Sequence, residues 1–290
     1  MSERTPIIRQ PLFNLRINRR DLIRGSVHGA LAATAAYTAT KAEKLLFADT
    51  EPFGFIEKID DETRQKLLQY RPVTIAHNGA DNFGRFNMSI EAGVDFVEAD
   101  VRQPLGRLVI MHSKDYFALA LNEGRRIFGF SGTIPYFDEL VQQIKPANQK
   151  LFLEIKEDSF NLADNVLRAV ENNGLEADYF AVDWRVLDRI YQKTEKDDNL
   201  FYTIANLEEV ELFLNQQKRF RRKGVSLNVG FAQTETVEKI HETGAKVLAA
   251  VVKKSDQAVE VLDAGVDGLI SGNLSLLSIW QKRFPQYYLA

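Results

Sequence analysis

From Val73 onward, short runs rich in β-branched and aromatic residues alternate with stretches in which apolar side chains recur every three or four positions. The strand-like runs are Val73–His77, Phe96–Val101, Leu151–Lys156, Tyr179–Asp183, Leu200–Ala205, Gly224–Val229, Lys246–Val252 and Val266–Ser271. The helical periods between them are long enough to cross back over a sheet, so neighbouring strands should run parallel. Helix punctuation agrees. Ser159 opens a segment whose stripe is Leu162, Val166 and Val170 and which stops at Gly174, while Ser255 and Asp256 open another that carries Val259, Val261 and Leu262 before Gly265. Eight strand-helix units in about 210 residues predict a (β/α)8 TIM barrel rather than a doubly wound sheet, because no Gly-rich phosphate fingerprint follows the first strand. Ile56–Tyr70 reads as one extra helix ahead of the barrel.

One apolar run, Leu108–Met111, lies too close to Phe96–Val101 for a crossover helix. A β-hairpin after the second strand accounts for it. Residues opposite one another across an antiparallel turn keep a constant index sum, here about 211 to 212 for a turn centred on Pro104–Arg107. Asp100 then faces His112.

In such barrels reactive groups lie at the C-terminal strand ends. His77 closes the first strand. Glu98 and Asp100 close the second at i, i+2 spacing, which puts both carboxylates on one face, and Glu154 with Lys156 repeats that geometry. Three acids around one mouth raise each other's pKa unless a cation neutralises them. Oxygen donors alone call for one divalent cation, Mg2+ or Ca2+. Strand-end acids also form plain ion pairs with strand-end bases. What favours chemistry is convergence: two of the four His in the chain fall at this mouth with three acids and a Lys. Two imidazoles supply a general base and a general acid for displacement at phosphorus, and Lys156 would neutralise the transferred group's oxygens.

Composition narrows the classes further. With 45% apolar and 27% charged residues the chain is globular, and a net charge of -3 gives no chain-wide basic field for holding nucleic acid. The absence of Cys excludes disulfides, thiolate metal sites and cysteine nucleophiles. No apolar run reaches the roughly 18 residues of a bilayer-spanning helix. Charge is segregated at the start, where Arg4, Arg9, Arg16, Arg19, Arg20 and Arg24 face only Glu3 and Asp21. Residues 1–50 therefore read as a separate basic segment before a barrel at 51–290. Arg19-Arg20 ahead of the small, weakly apolar stretch Gly25–Ala39 fits a twin-arginine export signal, which would make the barrel an exported or periplasmic protein. A basic arm running into an Ala-rich packed helix fits equally and implies the cytoplasm. Lys218–Lys223 is a second basic cluster, either a peripheral contact for anionic lipid or a solvated helix end. His241, beside Val237 and Ile240, reads as a surface residue.

The stretches Ile75–Gly79, Gly93–Val101, Val109–Ser113, Leu153–Lys156 and Gly265–Ser271 together resemble the glycerophosphodiester phosphodiesterase family, within the wider superfamily of phosphatidylinositol-type phospholipases C. The resemblance implies His77 and His112 as acid and base, Glu98, Asp100 and Glu154 as metal ligands, and a small phosphodiester or lipid head group as substrate. Departures bear on the substrate. Asn78 stands where the family usually has a phosphate-binding Arg, and Arg85 is placed to compensate. The family's Glu-Asn-Thr segment is not recognisable in Asp81–Ser89, Ser113 replaces an Asp, and Ala249-Ala250 replaces an aromatic. Trp184 either stacks on a head group or packs at a helix start. The short His77–Glu98 interval and the missing Arg are shared with sphingomyelinase D type phospholipases, which leave a cyclic phosphate, and a non-catalytic ligand-binding barrel is the alternative from another class.

Overall fold

The computed structural model describes residues 57–112, 134–157, 159–194, 199–217 and 224–281. The basic segment 1–50, Ser113 and the cluster Lys218–Lys223 lie outside them. Among the described residues the strands are β1 (Val73–Ala76), β2 (Phe96–Arg102), β3 (Val109–Ile110), β4 (Lys150–Ile155), β5 (Ala177–Ala181), β6 (Leu200–Ile204), β7 (Gly224–Asn228), β8 (Lys246–Ala250) and β9 (Gly268–Ser271). All but β3 pair in parallel, and β1 bonds to both β2 and β9, so eight strands close into a barrel. Helices α1 (Asp61–Leu67), α2 (Phe83–Ala92), α3 (Phe137–Ala147), α4 (Phe160–Asn173), α5 (Trp184–Thr194), α6 (Leu207–Gln217), α7 (Thr234–His241), α8 (Ser255–Asp263) and α9 (Leu274–Gln281) complete the (β/α)8 architecture.

Alternation along each strand sorts side chains between two cores. On β4, Leu151, Leu153 and Ile155 face the helices while Phe152 faces the barrel axis. The axis is filled by Ile75, Phe152, Phe180, Phe201, Leu248 and Ile270. Phe152 stacks on Phe180 with centroids 4.5 Å apart and meets Phe201 edge-on at 5.4 Å. Glycine makes room for this filling: a Cβ on Gly224 would lie 2.7 Å from the Phe201 ring, and one on Gly268 2.7 Å from Leu248. Above the apolar floor, towards the C-terminal strand ends, the inward positions become Glu98, Asp100 and Glu154.

The hairpin takes the register that the sequence predicts, with Val101 opposite Ile110 and Arg102 opposite Val109. β2 outruns β1, and β3 bonds antiparallel to the overhang. Helix α4 begins and ends as read, capped by Ser159, which accepts from Leu162 N, and closed by Gly174 at φ 61°. Other boundaries shift for local reasons. α1 is shorter than Ile56–Tyr70 because Asp60 is its cap, accepting from Thr63 N at 2.8 Å. β5 ends before Asp183 because that carboxylate accepts from Arg185 N at 3.0 Å, opening α5. His241 is not a plain surface residue: its Nε2 lies 2.9 Å from Asp267 Oδ2, which also accepts from Val247 N.

Glu57 fastens the entering chain to the top of the barrel. Its carboxylate accepts from Ser255 Oγ at 2.7 Å, Ser255 N at 3.1 Å and Asn273 Nδ2 at 2.8 Å. These donors stand after β8 and β9. Among the described residues no helix is long and apolar enough to cross a membrane.

Candidate active site

His77 immediately follows β1, held by a hydrogen bond from its backbone N to Ser271 O at 2.9 Å. Asp100 and Glu154 are register partners on adjacent strands, with Glu98 one inward position below Asp100. The observed index sum of 211 puts Met111, not His112, opposite Asp100, with Met111 N bonded to Asp100 O at 2.8 Å, and His112 follows one residue later at the same mouth. Its Nδ1 lies 2.7 Å from Asp100 Oδ2, and the two imidazole rings stand 6.4 Å apart, nearly perpendicular. His77 Nε2 lies 3.8 Å from Glu98 Oε2. Lys156 Nζ reaches Glu154 Oε2 at 2.7 Å and Asp100 Oδ1 at 3.1 Å.

Burial makes these groups interact strongly. Glu98, Asp100 and Glu154 are 1%, 0% and 7% exposed, and one oxygen from each lies within 4.8 Å of the others. Burial, reinforced by the charges of Asp100 and Glu154, pushes the Glu98 carboxyl well above its ordinary range. Burial and Asp100 push Glu154 up to about 7. Asp100 goes the other way: burial opposes its ionisation, but the His112 hydrogen bond and the Lys156 charge outweigh burial and hold it low. The same bond raises His112, whereas burial lowers His77 to about 4. One imidazole is thus kept neutral and the other is helped to hold a proton.

The carboxylates fit a hard cation. Asp100 Oδ1 is sealed from solvent and faces the Lys156 ammonium at 3.1 Å. Three buried carboxylates with oxygens within 4.8 Å of one another are a donor set that suits a hard divalent cation.

Asn78 takes a left-handed conformation, φ 52°, which Asn tolerates better than most residues. That turn aims its backbone N at Glu98 Oε2, 2.7 Å away, and leaves its buried Oδ1 without a hydrogen bond. Arg85, in the first turn of α2, lies 3.4 Å from Asp81 Oδ2. Asp81 escaped the sequence reading. Burial first, and the Asp100 charge second, push its carboxyl up to about 7, which makes it a fourth acid at this mouth. Its i, i+4 spacing to Arg85 was the available signal. Arg102, also missed, occupies the inward position after Asp100 and donates to three backbone carbonyls, those of Met111, His112 and Lys156. Trp184 is not brought to this group. Its indole donates to Thr203 O at 2.9 Å and its ring packs edge-on against Tyr202 and Phe213, in the layer between barrel and helices.

The chain matches no family model and no curated protein sequence. It does match solved structures. One is an Oleispira antarctica phosphodiesterase in complex with the product sn-glycerol-3-phosphate, at TM-score 0.60 and 17% identity over 74% of this chain and 98% of that one. Another is a glycerophosphodiester phosphodiesterase from Parabacteroides distasonis, at TM-score 0.60 and 18% identity over 73% and 95%. A third, from Agrobacterium tumefaciens, has TM-score 0.57 and 14% identity over 73% and 100%. From its eight-stranded closure to its added outer strand, the chain has the fold of the glycerophosphodiester phosphodiesterases.

Proposed function

We propose that the protein is a metal-dependent phosphodiesterase that hydrolyses a glycerophosphodiester or a related phospholipid head-group phosphodiester. The observation that carries this reading is the pair of imidazoles, 6.4 Å apart, beside three buried carboxylates. Neutral His77 takes the proton from the attacking water. His112, held by Asp100 in its protonated form, gives one to the departing alkoxide. Glu98, Asp100 and Glu154 would hold one Mg2+ or Ca2+, which supplies positive charge against the phosphoryl oxygens. Lys156 adds charge from within the cluster. Asn78 and Arg85 face the same mouth and orient the phosphate, with Asp81 setting the direction of the Arg85 guanidinium. The glycerol phosphate product bound by the Oleispira antarctica phosphodiesterase supports a small phosphodiester as ligand.

A panel of glycerophosphodiesters and lysophospholipids, followed by phosphorus NMR in 18O water with and without chelator, tests this. The expected product is a phosphomonoester carrying one solvent 18O, formed only with metal present. His77→Asn and His112→Asn should each lower the rate by about 100- to 10,000-fold. A cyclic phosphate free of 18O would make a substrate hydroxyl the nucleophile. Absence of turnover across the panel would leave a ligand-binding barrel.

A further inference from the structure

Arg102 is 7% exposed, on a strand whose inward neighbours are acids, yet it donates to main-chain oxygens. Nε donates to Met111 O at 3.1 Å, Nη2 to His112 O at 2.8 Å and Nη1 to Lys156 O at 3.3 Å. The first two acceptors belong to the returning arm of the hairpin and the third to the end of β4. A guanidinium is suited to this task because its N–H groups diverge in one rigid plane. An ammonium, with its donors on a single atom, cannot span both arms.

The consequence is geometric. β3 is held by only two residue pairs to β2, and His112 lies beyond the last of them. Lys156 likewise lies past the last residue of β4. His112 and Lys156 therefore stand just past the ends of their strands, each held beside the ladder by one neighbouring backbone bond, Met111 N to Asp100 O at 2.8 Å and Lys156 N to Val101 O at 3.2 Å. Arg102 is the group that joins these ends to one another.

We propose that Arg102 is a positioning residue for the reaction: by binding the carbonyls of Met111, His112 and Lys156 together it fixes the distance from His112 to Lys156 and Asp100. This rests on the phosphodiesterase reading of the site. Loss of the clamp leaves every reacting side chain in place but loosely aimed, so the chemical step suffers more than substrate binding.

The test uses Arg102→Lys and Arg102→Gln in the full chain with metal. Both should lower kcat by about ten- to hundredfold while KM moves by about twofold or less. Added guanidinium ion should restore part of the kcat of an Arg102→Ala variant. Crystal structures of the variants should show the His112 ring displaced from its place 2.7 Å from Asp100 Oδ2, a readout independent of turnover. Folded variants with unchanged kcat and an unmoved His112 ring would overturn the proposal. Failure of Arg102→Lys to fold would overturn it too, since the residue would then serve the fold as a whole. If the wild-type protein turns over no phosphodiester, the functional reading fails, and the position of the His112 ring in the variants alone decides whether Arg102 places it.

Discussion

His77 and His112 are the same residue type in two environments, and the difference has a measurable sign. Burial holds His77 near a pKa of about 4, against an ordinary 6.5. Between those values the unfolded chain binds a proton that the folded chain refuses, so the stability of the neutral ring is present above about pH 6.5 and is lost as pH falls towards 4. In chelator, wild-type protein should therefore lose more melting temperature between about pH 7 and pH 5 than His77→Asn does. Parallel slopes would show that the ring is hydrated and titrates normally. At this scale the site was readable because histidines are rare here and carboxylates close strands at i, i+2. Asp81 was not, because its burial comes from Arg85 and the barrel mouth closing over a loop that looks solvated in sequence. Trp184 could be read two ways, and only the partner of its indole N–H separates them.

At the scale of elements, patterns of period two and period 3.6 placed the strands and the principal helices, and turn arithmetic placed the hairpin to within one residue. Boundaries moved where a polar side chain turned back on the backbone, as Asp60, Asp183 and Asp267 do. The Glu57 clasp was invisible, since its partners lie 198 and 216 positions along the chain. Removing it has a predictable cost. Glu57→Ala leaves Ser255 N, Ser255 Oγ and Asn273 Nδ2 without their acceptor, and should destabilise the barrel by about 1–3 kcal/mol. Glu57→Gln, which keeps one acceptor oxygen, should lose less. Thermal melting of the two variants checks the order, and equal melting temperatures would show that solvent replaces the carboxylate.

For the whole molecule, the sequence divides at the end of the basic segment, and the barrel core described from Glu57 onward supplies its own closure through β1 and β9. Deleting residues 1–45 should leave a soluble domain that melts cooperatively within a few degrees of the full chain. A large fall would mean that the Ala-rich stretch packs on the barrel. The placement of the reacting groups has its own consequence. Every one of them stands on β1, β2, the hairpin or β4, within the stretch His77–Lys156. The remaining arc, β5 to β9, contributes Phe180, Phe201, Leu248 and Ile270 to the floor and, by alternation, Thr203 and Ser226 to the wall. Under the proposed function, the reacting groups and the opposite wall are encoded in separate stretches of one gene, so a crossover between Lys156 and Ser159 would exchange that wall while the proposed reacting groups pass to the hybrid together.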